Sequence, residues 1–224
     1  MSANKISVLD HGHLTLVDTM GSDKSVVNAA RVSYANADWM NSELSEKDSK
    51  LITYLADHKH VSPFYHPHVS FVIKAPISVQ RQAVTHKIGT AVNSESTRYT
   101  EVSREFYVPD QYRLQSKKNK QGSDGEFSAI FNEVMRADRN AAYDCAWNQY
   151  TYEISFGVSR ELARDVLPLG VYTSWFWTLS LAAVAHFIRL RDEDHAQHEI
   201  RVYAKAMREL VEPLFPVSLP ALLK

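Results

Sequence analysis

The order of apolar and polar residues predicts two strands and a helix at the start of the chain. Residues 6–20 alternate apolar and polar side chains around a glycine, as a β-hairpin does. Over residues 21–34 the apolar side chains recur at helical spacing. Ser45 is placed to cap the next helix, because Asp48 follows three residues later, and that helix is predicted to end near His58.

The rest of the chain predicts one more strand and a series of helices. Residues 66–73 alternate as a strand does, and a helix is predicted to begin at Ala75-Pro76, because proline fits the first turn of a helix. Residues 116–126 are polar and contain two glycines, which predicts a loop. Further helices are predicted over 127–156, 158–166, about 173–190 and 195–211. The third of these is apolar on most sides, so we expect it to be buried.

Composition and charge are those of a globular protein without an extended charged surface. The 224 residues are 45% hydrophobic and 23% charged, and 25 Lys and Arg oppose 26 Asp and Glu. This balance argues against a protein that coats nucleic acid or an anionic membrane. No internal repeat or glycine-rich linker divides the chain. We therefore expect an α+β fold: a helix-rich single domain over residues 1–224 with a small antiparallel sheet.

Two features predict a cytoplasmic location. The first residues lack the apolar run of a signal peptide, and polar residues interrupt the longest apolar stretch, Trp175–Ile188. Cys145 is the only cysteine, which excludes an intrachain disulfide and fits a reducing compartment. Its position among apolar residues of a helix predicts a packed thiol and not a nucleophile.

The candidate chemistry is carried by arginines and other polar side chains, since both glycine-rich phosphate motifs are missing from the seven glycines of the chain. Arginine binds phosphate or the carbonyl edge of a base with two parallel hydrogen bonds. The densest cluster of donors is the segment 82–99, which includes His86, Lys87, Ser96 and Arg98. A solvated loop behind a helix cap is the alternative interpretation of this segment.

Two further charged clusters have ordinary alternatives. Arg160 and Arg164 share a helix face with Glu161 between them, so surface ion pairs explain them as well as a binding role does. Residues 189–199 crowd charges of both signs behind a buried helix, where helix capping is the alternative. A metal site at His66 and His68, or at His195, His198 and Glu199, is the weaker hypothesis, and we expect no metal.

Several blocks of the sequence together resemble the flavin-dependent thymidylate synthases. Among them are SRELARDVLPLGVYTSWFW at 159–177 and RLRDEDHAQHEIRVYA at 189–204. The other blocks cover 8–21, 29–34, 51–64, 72–82, 86–99, 106–110 and 119–123. The resemblance runs over nearly the whole chain in one order.

The resemblance implies the family's fold and chemistry. It implies a homotetramer of α+β subunits with shared active sites that bind FAD, deoxyuridine monophosphate (dUMP) and a folate. Methylene-tetrahydrofolate would supply a carbon for the conversion of dUMP to thymidylate (dTMP), and a reduced nicotinamide, NADPH, would supply electrons through the flavin. Methylation at C5 of uracil requires a polarised ring, and an arginine beside N3 stabilises the developing negative charge. Arg191 matches that role.

The resemblance also assigns residues one by one. Arg191 and Ser96 are expected to be catalytic. The residues expected to bind dUMP are Gln82, Ser94, Glu95, Ser96, Arg98, Arg164 and Arg191. The residues expected to contact FAD are Ser62, His86, Lys87, Asn93, Ser180 and His186.

Four positions and one inserted residue depart from the family pattern. The family's Arg-His-Arg is Thr85-His86-Lys87 here, with one extra residue before Ser96, and Tyr65 and Ala182 replace polar residues. Two alternatives to thymidylate synthesis therefore stay open within the same fold. One is another one-carbon transfer to C5 of a pyrimidine nucleotide, such as hydroxymethylation, and the other is a non-catalytic nucleotide-binding relative. A metal hydrolase is the interpretation outside this family.

Overall fold

The computed structural model describes residues 4–35, 37, 43–120 and 122–224, so residue 121 of the block 119–123 lies outside the described residues. A five-stranded antiparallel sheet runs through the described part in the order β1-β2-β3-β7-β4. Its strands are β1 (Lys5–Val8), β2 (Gly12–Met20), β3 (His68–Pro76), β4 (Thr90–Ser94) and β7 (Tyr172–Ser180). A separate hairpin pairs β5 (Arg113–Gln115) with β6 (Ser123–Glu126).

The described residues also form a series of α-helices. They are α1 (Asp23–Arg31), α2 (Glu46–Asp57), α3 (Ile77–Ala83), α4 (Ala129–Ser155), α5 (Arg160–Ala163), α6 (Leu181–Arg191), α7 (His198–Val211) and α8 (Ser218–Leu223). Short 3₁₀ turns lie at 32–34, 62–65 and 164–166. This α+β architecture, rich in helices with a small antiparallel sheet, confirms the predicted fold class.

The core lies between the central strands β3 and β7 and the helices α6 and α7. Alternate residues of β3, such as Phe71 and Ile73, are buried together with Trp175 and Trp177 of β7. They meet apolar side chains of α6 and α7, and the Trp177 indole touches Phe187 edge to face at 5.2 Å between centroids. The core therefore holds the end of β7 and the start of α6 rigidly.

Several predicted elements are confirmed. The hairpin over 6–20 is β1 and β2, and the strand over 66–73 is the greater part of β3. Ser45 and Asp48 form the predicted capping box at the start of α2, with N–O distances of 3.2 and 3.0 Å. The long helix over 127–156 is α4.

The single helix predicted over 173–190 is wrong. Residues 172–180 form strand β7, and only then does helix α6 begin, capped by the Ser180 hydroxyl, which accepts from the backbone N of Ala183 at 3.3 Å. β7 lies between β3 and β4. Phe176 of β7 is apolar although it is 40% exposed, and it stands between the buried Trp175 and Trp177. The three aromatic residues form an apolar run that hydrophobic periodicity does not separate from a buried helix.

Three smaller expectations are also corrected. The polar turn predicted behind His86 contains strand β4, which pairs with β7 at the sheet edge. The loop predicted over 116–126 contains β6, the second strand of the small hairpin. Helix α8 follows the helices predicted from the sequence, and its start is held by the buried Asp23 carboxylate, which accepts from two backbone N–H groups at 2.9 Å.

Cys145 does not lie in a packed environment, so the prediction of a packed thiol is wrong. Cys145 is exposed on α4, a helix of 27 residues of which three are buried. The contacts of α4 come from Tyr143, Trp147, Tyr150 and Ile154, which pack on a second, smaller core around Phe106 and Val171. The face that carries Cys145 lies outside these contacts. Periodicity predicts the helix correctly and does not say which face the chain itself covers.

Two properties of the described residues bear on the remaining hypotheses. Across residues 4–35, 37, 43–120 and 122–224, no helix has both the length and the apolar composition needed to span a membrane. In the same ranges, no group of three His, Cys, Asp or Glu side chains converges as metal ligands.

Candidate active site

The ends of four elements converge beside the edge strand β4. They are the end of α3 with the turn behind it, the loop 94–100, the segment 160–166, and the end of α6 with the linker to α7. Hydrogen bonds and ion pairs between side chains join them in pairs. These contacts join Gln82 to Gln197 and His86 to Arg191, and separately join Arg164 to Thr97 and Arg98 to Glu161.

Arg191 is held at the end of α6 by a histidine. Its Nε donates to Nε2 of His86 at 3.1 Å. Burial, followed by the charges of Arg191 and His186, lowers the pKa of His86 to about 4. The ring is therefore neutral at pH 7, accepts at Nε2 and carries its proton on Nδ1. Among the described residues neither Nη group of Arg191 has a partner, which leaves two donors for a ligand.

Aromatic contacts fix the position of His86. Its ring meets Phe187 edge to face at 5.1 Å and His186 at 5.6 Å between centroids. Phe187 is part of the core on α6, whereas His186 is exposed on the same helix. The core thus determines the orientation of the imidazole and, through it, of the Arg191 guanidinium.

Gln82 reaches Gln197, a residue that the sequence analysis did not single out. The Gln82 Nε2 donates to Oε1 of Gln197, and the Gln197 Nε2 donates to Oε2 of Glu199 at 2.9 Å. Sequence reasoning considered Glu199 only as a weak metal ligand. The signal for Gln197 was its place in the block 189–204 that carries the family resemblance.

Arg98 lies on the loop 94–100, and Arg164 begins the 3₁₀ turn 164–166 directly behind α5. The Arg164 Nη1 donates to Oγ1 of Thr97 at 3.1 Å, and Arg98 faces Glu161 at 3.7 Å with about half of its side chain exposed. The alternative interpretation supposed an ion pair between Glu161 and Arg164 along one helix face. Glu161 instead faces Arg98 of the loop. The ion pair links α5 to the loop, and Thr97 is a further residue that the sequence did not indicate.

A tight turn presents Ser96. Its backbone oxygen accepts from the N–H groups of Tyr99 and Thr100 at 3.0 and 3.3 Å. The backbone N–H of Glu95 donates to Ser174 of β7 at 2.8 Å, and the Ser94 hydroxyl accepts from Gln80 at 2.9 Å. Helix α3 and strand β7 therefore anchor this segment, although most of its side chains are exposed. Its role in binding a nucleotide stays a prediction.

The residues expected to contact FAD gather around the turn between α3 and β4. His86, Lys87 and Asn93 lie on the turn and strand, and His186 touches His86. Ser180 differs, because its side chain is fully buried and its hydroxyl caps α6. Contact of that hydroxyl with a cofactor stays a prediction, and the capping role is the one that the structure gives it.

The substituted Tyr65 lies against this turn. Gly89 has a φ of +70°, and a Cβ there would lie 2.5 Å from the Ser180 Oγ and 3.0 Å from the Tyr65 ring. The Gly89 carbonyl accepts from the Ser180 N–H at 2.8 Å. Only glycine fits this position without strain. The departures from the family pattern at Tyr65 and at the lengthened 88–96 segment are therefore packed against one another.

The donor set fits the cofactor that the resemblance implies. Exposed Lys87, Asn93 and Ser62 supply a cation, an amide and a hydroxyl, which are suitable groups for a pyrophosphate and the polar edge of a flavin. His186 and His86 add imidazole rings beside them. Lys87, Asn93 and Ser62 are exposed on the surface of the chain, whereas Ser180 is buried.

Comparison with known proteins identifies the family. A sequence model described as "Thymidylate synthase complementing protein" matches residues 15–217. A flavin-dependent thymidylate synthase of Thermus thermophilus is 41% identical over 213 residues, covering 95% of this chain and 76% of the relative. That of Kosmotoga olearia is 40% identical over 223 residues, covering 98% and 93%. The chain belongs to the flavin-dependent thymidylate synthases.

Solved structures agree with this family and its fold. PolB of Streptomyces cacaoi, a UMP/dUMP methylase crystallised with 5-Br dUMP, superimposes with a TM-score of 0.84 at 34% identity and covers 96% of each chain. The same methylase bound with 5-Br UMP gives a TM-score of 0.83 at 33% identity. The predicted family, fold and enzyme class, a flavin-dependent thymidylate synthase with methyltransferase character, are thus confirmed, and flavin dependence implies FAD.

Proposed function

We propose that the chain, as one domain over residues 1–224, catalyses the reductive methylation of dUMP to dTMP, with FAD as cofactor. The observation that carries this proposal is the Arg191 guanidinium, held by neutral His86 at the end of a core helix with both Nη groups directed to no described side chain. A fixed cation of this kind stabilises negative charge on a uracil ring when its C5 attacks a carbon donor. Membership of the family supports the same chemistry.

The nucleotide would be bound by side chains from three segments. Arg98 and Arg164 are the cations suited to its phosphate, and Arg191 would face the base, with Ser96 as the second catalytic candidate. Ser94 and Glu95 precede Ser96 on the same strand end, and Gln82 approaches from α3. The fork of an arginine gives two hydrogen bonds in one plane, which favours a phosphate or an imide edge over other groups.

The flavin would be held by Ser62, His86, Lys87, Asn93, Ser180 and His186. When bound, it supplies the electrons that turn a transferred methylene group into a methyl group. Methylene-tetrahydrofolate is proposed as the carbon donor and NADPH as the reductant, so that dUMP, the donor, NADPH and a proton give dTMP, tetrahydrofolate and NADP⁺. The chain's own task is to bind both ligands, orient the uracil and keep His86 neutral.

A homotetramer with shared active sites is proposed as the working form, in the cytoplasm. Helix α4 supports assembly, because it exposes apolar side chains that a second copy of the chain would cover. These exposed side chains are Ile130, Phe131, Val134 and Tyr152, with Phe156 directly behind the helix. Light scattering of the wild type and of Phe156→Asp tests this: the variant should lose subunits, and a monomeric wild type would contradict the proposal.

A second candidate activity is transfer to a different pyrimidine nucleotide. The structural relative is described as a methylase of UMP as well as dUMP. The altered 85–96 segment is the feature of this chain that favours a changed substrate or a hydroxymethyl product. Both activities need the same polarised C5, so Arg191 keeps its role in either case.

The deciding experiment combines a spectrum with a product assay. The protein is incubated with excess FAD, with and without dUMP, desalted, and scanned before and after addition of NADPH or NADH. Retained flavin bands that bleach with NADPH, followed by dTMP from dUMP and methylene-tetrahydrofolate, are the expected result. Product masses from UMP and deoxycytidine monophosphate reveal the second activity. Bound nucleotide without turnover under any reductant would contradict both and indicate a non-catalytic relative.

A further inference from the structure

A buried carboxylate lies two hydrogen bonds behind Gln82. Glu199 is 5% exposed at the start of α7, and its Oε2 accepts from Nε2 of Gln197 at 2.9 Å. Gln197 in turn accepts at Oε1 from Nε2 of Gln82. Three side chains thus form one chain of hydrogen bonds that begins in the interior and ends at the proposed nucleotide site.

The carboxylate is itself fully occupied. Its Oε1 accepts from the hydroxyl of Tyr107 at 2.9 Å and from Nη2 of Arg113 at 2.6 Å. Arg113 lies on β5 and also donates to the Ser123 hydroxyl of β6 at 3.2 Å, so the small hairpin braces it. Burial alone would raise the pKa of Glu199, but the hydrogen bonds from Arg113 and Gln197 hold that pKa below the ordinary value. Glu199 is therefore ionised at neutral pH.

An ionised carboxylate decides the orientation of both amides. It accepts hydrogen bonds and donates none, so Gln197 must turn its NH₂ group toward Glu199. The carbonyl oxygen of Gln197 then faces Gln82, and that oxygen requires a donor. Gln82 must supply its own NH₂ group. The second N–H of Gln82 and its carbonyl oxygen therefore point in fixed directions. In a glutamine without such partners, the amide group rotates readily and exchanges the positions of its oxygen and nitrogen.

We propose that Glu199 is a positioning residue for nucleotide binding, which sets the orientation of the Gln82 amide through Gln197. The inference rests on the proposed function in one respect, the contact of Gln82 with the nucleotide. Glu199 does not touch the ligand, because Gln197 lies between them. Glu199 holds the Gln82 amide in one orientation before the nucleotide binds. Binding then does not have to order that side chain, which would cost conformational entropy.

The first test is the isosteric variant Glu199→Gln. Arg113 can only donate, so an amide at 199 keeps its oxygen toward Arg113 and turns its NH₂ group toward Gln197. The amide of Gln197 must then reverse to accept this bond, and that of Gln82 reverses with it. We expect the Kd for dUMP, measured by titration calorimetry on the flavin-loaded protein, to rise about tenfold, the effect of one misplaced hydrogen bond. KM should rise with it, whereas kcat should change less than about twofold. The matched control is Glu209→Gln, an exposed glutamate of the same helix, which should behave as the wild type.

The second test asks whether the effect passes through Gln82. Gln82→Met should weaken dUMP binding, and adding Glu199→Gln to it should change the Kd no further. Two additive effects would overturn the inference, because a structural effect of Glu199 acts with or without Gln82. If Glu199→Gln fails to fold, Gln197→Met breaks the same chain at a residue outside the core and should reproduce the tenfold loss.

The remaining outcomes separate this inference from the proposed function. If Gln82→Met weakens binding but Glu199→Gln and Gln197→Met leave it unchanged, the nucleotide site stands and the positioning role of Glu199 is wrong. If Gln82→Met binds dUMP as the wild type does, Gln82 is not in the nucleotide site, and the positioning role fails with that assignment.

Discussion

Helices α6 and α4 are used in opposite ways. In α6, six of the eleven residues are buried, whereas in α4 three of the 27 are buried. The first is enclosed by its own chain, and the second leaves most of its surface for another molecule. The contrast separates a helix that the chain's own core encloses from one whose exposed apolar residues are the surface proposed above for assembly.

The site follows the same division. Arg191 is placed by α6 and held by His86, whose ring the core residue Phe187 touches. Arg98 lies on a loop, with 53% of its side chain exposed and a loose contact to Glu161. Groups that stabilise a transition state require fixed geometry, whereas groups that attract a phosphate tolerate some freedom. The core therefore supports Arg191, the arginine proposed to be catalytic, and leaves Arg98, the arginine proposed to bind the phosphate, adjustable.

Removal of the core-supported arginine should have the largest effect. Arg191→Ala should lower kcat for dTMP formation by a factor of about 10³ or more, because a fixed donor to the developing charge is lost. Thermal unfolding by circular dichroism should change little, since the side chain reaches outward from the end of α6. Wild-type turnover in this variant would contradict the role of Arg191.

A matched pair of isoleucines tests the two helices directly. Ile188 of α6 is 2% exposed and Ile130 of α4 is 76% exposed. Ile188→Ala should lower the free energy of unfolding by about 2–5 kcal/mol. Ile130→Ala should change it by less than about 0.5 kcal/mol at dilutions where the chain is monomeric. Denaturant titration measures both, and equal losses would show that the two helices do not differ in this way.

The pH dependence of stability should report on His86. Its pKa is lowered to about 4 in the folded protein from the ordinary 6.5, so protons favour the unfolded state. The contribution of the neutral ring is complete above pH 6.5 and is lost as the pH falls toward 4, by up to about 3 kcal/mol. Denaturation of His86→Gln against the wild type across this range isolates the effect. A difference that does not change with pH would refute the assignment, and His195→Gln serves as an exposed control.

The adjustable arginine should give the smallest change. Arg98→Ala removes an exposed ion pair at 3.7 Å, so the free energy of unfolding should change by less than about 1 kcal/mol. The Kd for dUMP should rise about tenfold at low salt and less at high salt, because the lost interaction is a charge on a phosphate. Calorimetry at two ionic strengths measures this. If Arg98→Ala lowers kcat as much as Arg191→Ala does, the proposal that Arg98 serves binding and Arg191 serves catalysis is wrong.

Much of the fold was predictable from local patterns. Alternation indicated the hairpin of β1 and β2, and the Ser45–Asp48 pair located the start of α2, because these signals depend on neighbours in sequence. The strand β7 was not predictable in this way, since its exposed Phe176 is apolar and stands between the buried Trp175 and Trp177, which hides the alternation. The exposure of Cys145 was equally hidden, because periodicity does not reveal which face of α4 the chain covers.

The amino-acid sequence was enough to establish the class of the protein and the residue types available for chemistry. The blocks at 159–177 and 189–204 carried the family, and the arginines in them carried the expected roles. Which side chains meet depended on the folded chain: Arg191 meets His86, 105 residues away, and Gln82 meets Gln197, 115 residues away. Folding also placed Glu199, which the sequence offered only for the weaker metal hypothesis, two hydrogen bonds away from Gln82. Hydrogen-bond orientation and burial depend on groups distant in sequence, and packing alone brings those groups together.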